Sequence, residues 1–185
     1  MSASRDETRR ELNRFLAAVE RKAFRMARIA LRHDDDALDA VQDAMLQLAR
    51  RYAQRPAEEW RPLFYRILEN RIRDLQRRRM VRGKVMALLP WRRDAGEDMP
   101  DPVAEAPDQA PGPAEQVEGM SMMAKLETAL ATLPARQREA FLLRNLEGLD
   151  VAQTAAAMGC SDGSVKTHYF RAVQALKSRL GEFWT

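Results

Sequence analysis

Four side chains in the stretch "RPLFYRILENRIRDLQRRR" are spaced to act together. Arg66, Asn70, Arg73 and Arg77 recur at steps of four, three and four, which places three guanidiniums and one carboxamide along one side of a helix. Phe64, Leu68, Ile72 and Leu75 fall on the opposite side as its buried stripe. A row of cations repels itself unless an anion relieves it, and a nucleic-acid backbone supplies such an anion. Asn70 carries both donor and acceptor, so it suits a base edge or an unpaired base. Trp60 and Tyr65 lie nearby; aromatics beside cations fit unstacked bases, and both equally fit an ordinary core.

A second constellation lies in "GCSDGSVKTHYFRAVQALKSRL". Gly159 supplies a sharp turn with positive φ, and Ser161 is placed to cap the helix that follows. On that helix Val165, Tyr169, Ala172, Val173, Leu176 and Leu180 share one side. Thr167, Phe170, Arg171, Gln174 and Ser178 share the other, with Ser164 and Lys166 at its edges. Preceded by the short alanine-rich helix from Val151 to Met158, this forms a helix-turn-helix whose second helix can enter a major groove. Arg171 and Gln174 can make bidentate contacts to bases, while Lys166 suits phosphate. His168, one of two histidines, reads on its own as a rim residue.

Other chemistries find little support. The 31 basic and 27 acidic residues nearly balance, but they are segregated. Nine basic and two acidic residues lie between Arg61 and Lys84, whereas Asp94 to Glu118 holds eight acidic residues and no basic one. That pattern points to a polyanion-binding surface and an acidic tether. Cys160 is the single cysteine, so no intrachain disulfide is possible, and with two histidines a zinc cluster is not expected. The aspartates from Asp34 to Asp43 lie along a helix rather than in a ligand loop. No catalytic constellation, metal site or cofactor is expected. The charged N-terminus lacks a signal peptide's apolar core, and no apolar run approaches the ~18 residues of a membrane span. A soluble, cytoplasmic protein with no membrane insertion and no small-molecule substrate is expected.

The supporting elements are all helical. Leu12, Phe15, Leu16, Val19, Ala23, Met26, Ala27 and Ala30 repeat at helical steps. Asp34, Asp35 or Asp36 is expected to cap a second helix, with Leu38, Val41, Met45, Leu48 and Tyr52 facing inward. Pro56 and Pro62 are expected to bracket a turn or short helix before the basic helix. From Gly83 to Gly119 periodicity disappears, and five of the nine prolines fall between Pro100 and Pro113. Too little apolar surface remains there to offset the ordering entropy, so a flexible acidic linker is expected, with "LLPW" at 88–91 as its apolar exception. "SMMAKLETALATL" is helical again; Pro134 suits the start of the next helix, and Gly148 closes it. The fold class is all-α: a helical bundle over 8–82, a linker over 83–119 and a helix-turn-helix domain over 120–183.

The C-terminal stretch "LPARQREAFLLRNLEGLDVAQTAAAMGCSDGSVKTHYFRAVQALKSRL" resembles region four of bacterial RNA polymerase sigma factors. It also resembles the DNA-binding module of two-component response regulators. "DALDAVQDAMLQLARRY", Trp60 and "FYRILENRIRDLQRRR" resemble region two of the small extracytoplasmic-function (ECF) sigma factors. Two modules in that family's order, with no receiver domain ahead of the second, favour the sigma-factor resemblance.

That resemblance implies a specificity subunit, not an enzyme, that joins core RNA polymerase, recognises two promoter elements and helps melt DNA. It implies that Asp39, Gln42 and Asp43 face the polymerase clamp. Trp60, Arg66, Asn70, Arg73 and Arg77 would serve the minus-ten element, with non-template bases flipped into protein pockets. Ser164, Lys166, Thr167, His168, Arg171 and Gln174 would serve the minus-thirty-five element. "HYF" at 168–170 departs from the family's usual pattern, which touches base preference rather than binding. An anti-sigma partner is also implied. The competing functions are a sigma mimic that binds an anti-sigma factor as a decoy, and an autonomous helix-turn-helix regulator that binds duplex DNA without polymerase.

Overall fold

A computed structural model describes residues 2–87 and 122–181, with side chains for 6–82 and 122–181. All regular elements among the described residues are helices: α1 (Ser2–Leu31), α2 (Asp34–Arg51), α3 (Ala57–Ala87), α4 (Met122–Ala131), α5 (Ala135–Asn145), α6 (Val151–Met158) and α7 (Asp162–Leu180). The expected linker falls almost wholly outside the described residues, as does "LLPW". The basic helix continues to Ala87, past the expected boundary at 82. One glycine in a helix costs only about 1 kcal/mol against alanine, too little for Gly83 to end it.

The N-terminal half packs α1, α2 and α3 around Val19, Ala23, Met26, Val41, Leu48, Phe64, Leu68 and Ile72. Phe15 tilts against Trp60 with ring centroids 5.9 Å apart, and Phe64 meets Tyr65 edge-on at 5.1 Å. The C-terminal half packs α4, α5 and α6 around α7 through Leu130, Leu133, Phe141, Leu143, Leu149, Met158, Val165, Ala172 and Leu176.

Several local details differ from the sequence reading. His33 caps α2, its Nδ1 accepting the Asp36 amide hydrogen at 3.3 Å; the three aspartates form the first turn, where their charge favours the helix N-terminus. Pro62 lies within α3 rather than before it, early enough that its missing N–H removes little of the hydrogen-bond ladder. Pro134 is the N-cap of α5, one position ahead of the first helical residue. Leu38 points outward, 44% exposed, because Ala37, Ala40, Val41 and Ala44 form the buried face of α2.

The two halves also pack on each other: α3 lies against α6, and α1 against α4. Arg25 and Arg28 of α1 grip the Glu127 carboxylate of α4 at 2.9 and 2.8 Å. Glu147, just past α5, is buried with Lys22 Nζ 3.9 Å from its carboxylate, while Arg61 donates to its carbonyl at 3.5 Å.

Candidate nucleic-acid interface

The helix-turn-helix is built by strong local signals. Asp150 caps α6 by accepting the Gln153 amide hydrogen at 2.7 Å, and the Gln153 side chain accepts the Asp150 N–H in return at 3.1 Å. This reciprocal arrangement satisfies two otherwise orphaned donors. Gly159 ends α6 in the left-handed region at φ 64°, a conformation that strains any residue with a Cβ. Ser161 then caps α7 by accepting the Ser164 N–H at 3.2 Å. The turn is thereby set from three positions.

α7 buries Val165, Ala172, Leu176 and Leu180 and half-buries Tyr169 and Val173. Its opposite side presents Lys166, Thr167, Phe170, Arg171 and Gln174 to solvent, with Phe170 62% exposed. Ser164 and His168 lie half-buried at the edges. The Ser164 hydroxyl pairs with that of Ser161 at 3.0 Å, and Thr167 donates to the Gly163 carbonyl at 3.0 Å; both hydroxyls retain acceptor capacity. Tyr169 stacks on Phe141 at 6.1 Å and hydrogen-bonds Asn145 from above, fixing the roll of α7 on α5. All six C-terminal residues singled out from sequence thus lie on one exposed or half-exposed surface.

The residues of α3 divide. Arg66 and Asn70 are exposed, and Arg77 is exposed in an ion pair with Asp74. Arg73 is half-buried: its Nε donates to the Glu69 carbonyl at 3.1 Å and its Nη2 lies 3.9 Å from Glu139. The Arg66 guanidinium lies over Gly159, close enough that a Cβ there would meet its Nη2 at 3.7 Å. Trp60 does not join the surface. It is 2% exposed in the core, with its indole N–H donated to the Tyr52 carbonyl at 3.2 Å. Burying so large a ring against Phe15 outweighs leaving it to solvent.

On α2, Asp39 and Gln42 are exposed beside Leu38 and Leu46, the latter 50% exposed. Asp43 is half-exposed and forms an ion pair with Arg71 of α3. The outward leucines were missed by sequence reasoning; the signal was that the stripe of small residues Ala37, Ala40 and Ala44 already fills the inward positions. Also missed were the buried carboxylates Glu69, Glu139 and Glu147, whose neighbours come from distant parts of the chain. Among the described residues no group of acidic, histidine or cysteine side chains is arranged to hold a metal ion.

Comparisons with known proteins agree with this geometry. The family model "Sigma-70, region 4" matches residues 123–176, which span α4 to most of α7. The ECF RNA polymerase sigma factor SigM of Mycobacterium tuberculosis is 31% identical over 166 residues, covering 87% of this chain and 72% of the relative. ShbA of Streptomyces griseus, also an ECF RNA polymerase sigma factor, is 32% identical over 173 residues, covering 88% and 84%. SigD of Mycobacterium tuberculosis is 34% identical over 91 residues; there the match spans 48% of this chain and 43% of the relative, less than half its length. Among solved structures, the sigma factor RpoE in complex with the anti-sigma factor NepR from Bartonella quintana superposes with a TM-score of 0.65 at 25% identity, covering 95% of this chain and 98% of that one. CnrH, solved with the cytosolic domain of CnrY, shares the fold at a TM-score of 0.59 and 21% identity, covering 97% and 93%.

A bundle bearing an arginine stripe, followed by a capped helix-turn-helix, defines a two-module all-helical protein. The chain belongs to the ECF RNA polymerase sigma factors.

Proposed function

We propose that this chain acts as a promoter-specificity subunit in the cytoplasm, binding core RNA polymerase and directing initiation at promoters with two recognition elements. The observation that carries the reading is the outward set Lys166, Thr167, Phe170, Arg171 and Gln174 on α7, whose N-terminus Ser161 caps. In this reading that set enters the major groove of the upstream element. Arg66, Asn70, Arg73 and Arg77 serve the downstream element, where strand opening exposes bases to Asn70. Leu38, Asp39, Gln42 and Leu46 supply a mixed apolar and acidic face of α2 for the polymerase, with Asp43 at its edge. Trp60 supports this surface from beneath rather than touching bases.

No enzymatic step is assigned to the chain; its contribution is binding energy and position. Unstacking a base costs a few kcal/mol, and the upstream grip and polymerase contacts offset that cost. The RpoE structure was solved in complex with the anti-sigma factor NepR, and an anti-sigma protein is the corresponding partner proposed here.

Transcription in vitro with purified core polymerase and a genomic promoter library tests the reading. Specific initiation that depends on the added chain is expected. Core binding without any initiation would favour a decoy, and tight duplex binding that needs no polymerase would favour an autonomous regulator.

A further inference from the structure

The boundary between the two halves carries an acid–base cluster that neither DNA nor polymerase binding explains. Glu69 of α3 and Glu139 of α5 are 9% and 2% exposed and belong to opposite halves. Three guanidiniums surround them, but most of their hydrogen-bonding is directed elsewhere. Arg138 donates to the carbonyls of Ala131 and Leu133 at 3.3 and 3.4 Å. Arg136 divides itself between Glu139 at 3.1 Å and the Met158 carbonyl at 2.8 Å. Arg73 stands 3.9 Å from Glu139. Among the described residues no ion pair engages the Glu69 carboxylate. Cys160, at the α6–α7 turn, is half-buried, and the charges of Arg136, Glu139 and Asp162 act on its thiol. One turn before Glu69, the Tyr65 hydroxyl is buried beside Glu147, with Lys22 and Arg61 facing that carboxylate.

We propose that this boundary is a proton-linked latch: the closed packing of the two halves holds a proton on the Glu69–Glu139 pair, and loss of that proton favours their separation. Two buried carboxylates brought together cannot both ionise cheaply. Burial first, and then the charge of Glu139, push Glu69 up to about 8; burial likewise raises Glu139, against the pull of its arginines. Once the halves part, Glu69 regains water and the ordinary carboxylate range. A group raised in the closed state favours closure fully below its open-state value and loses that contribution as pH climbs to its closed-state value. The closed-to-open ratio therefore falls by up to about tenfold per pH unit between the ordinary carboxylate range and about pH 8. Opening frees Arg73 from Glu139 and lifts α6 and Gly159 away from α3 and Arg66, so the same proton governs whether Arg73 joins the already exposed Arg66, Asn70 and Arg77.

The test uses the full chain carrying Cys160→Ser, with dyes on Glu20→Cys in α1 and Ser178→Cys in α7, both exposed positions. Energy transfer between them is expected to fall as pH rises from about 6 to about 9. Glu69→Gln, a neutral isostere of the protonated acid, should keep the halves closed across that range, a gain that misfolding cannot imitate. Transfer that does not change with pH in the parent overturns the proposal, as does a Glu69→Gln curve that follows the parent. Neither DNA nor polymerase enters the measurement, so its outcome is independent of the proposed function.

Discussion

Arg171 and Lys166 stand on the same exposed face yet should behave differently when removed. Arg171 can bind a guanine through two parallel hydrogen bonds, so Arg171→Ala should cost about 1–3 kcal/mol at one upstream base pair and relax preference there. Lys166→Ala should weaken binding evenly across sequences and flatten its salt dependence, as loss of a phosphate contact does. Footprints of each variant on permuted upstream elements, at several salt concentrations, separate the two roles. In the other half, Trp60→Ala should cost about 3–5 kcal/mol of stability, because it empties a core position (2% exposed) rather than a DNA-facing one. Trp60→Phe should recover much of that loss and still support promoter opening; loss of opening in a stably folded Trp60→Phe would restore a direct role for the indole. Exposure of Lys166 and Arg171 was legible from the wheel of α7, since apolar residues claimed every inward position. For Trp60 the sequence left a core role and a base contact both open, because the carbonyl partner Tyr52 and ring partner Phe15 that decide for the core belong to other elements.

Among the elements, α6 and α7 were the most legible because their boundaries are local. Asp150, Gln153, Gly159 and Ser161 each act on backbone within a few residues. Asp150→Ala should cost about 1 kcal/mol through loss of the cap. Gly159→Ala should cost a similar ~1–2 kcal/mol by forcing a Cβ into the left-handed region. Thermal unfolding measures both, and a Gly159→Asn variant should lose less than the alanine. The start of α3 was less legible. Proline marks a helix beginning as readily as a break, and only the packing of Phe64 and Leu68 shows that Pro62 already lies inside the helix. The outward Leu38 follows the same logic: apolar identity does not state which side of α2 the neighbours occupy.

Across the whole molecule, sequence periodicity revealed two helical modules but not their embrace. The polar contacts that join them come from residues distant in the chain: Arg25 and Arg28 to Glu127, Lys22 and Arg61 to Glu147, and Arg73 to Glu139. No helical wheel distinguishes such a charge from one facing water. The Arg25 and Arg28 pairs with Glu127 are partly open to solvent on both sides, weak and screened by salt, so the closed state should loosen as ionic strength rises. Small-angle scattering should record a growing radius of gyration with added salt, and Glu127→Ala should reach the same expansion at lower salt. An unchanged radius would mean that apolar packing of α3 on α6 suffices to hold the halves.

With Phe170 and Arg171 already turned to solvent while Arg73, alone of the α3 set, is drawn toward Glu139, the surface proposed for the downstream element is the less completely offered of the two. Such a molecule would commit itself in stages, testing the upstream sequence with a hand already extended and unfolding the other only once held in place. Fluorescence mixing experiments on a promoter duplex should then resolve a fast, salt-sensitive encounter through α7, followed by a slower step whose rate does not depend on DNA concentration.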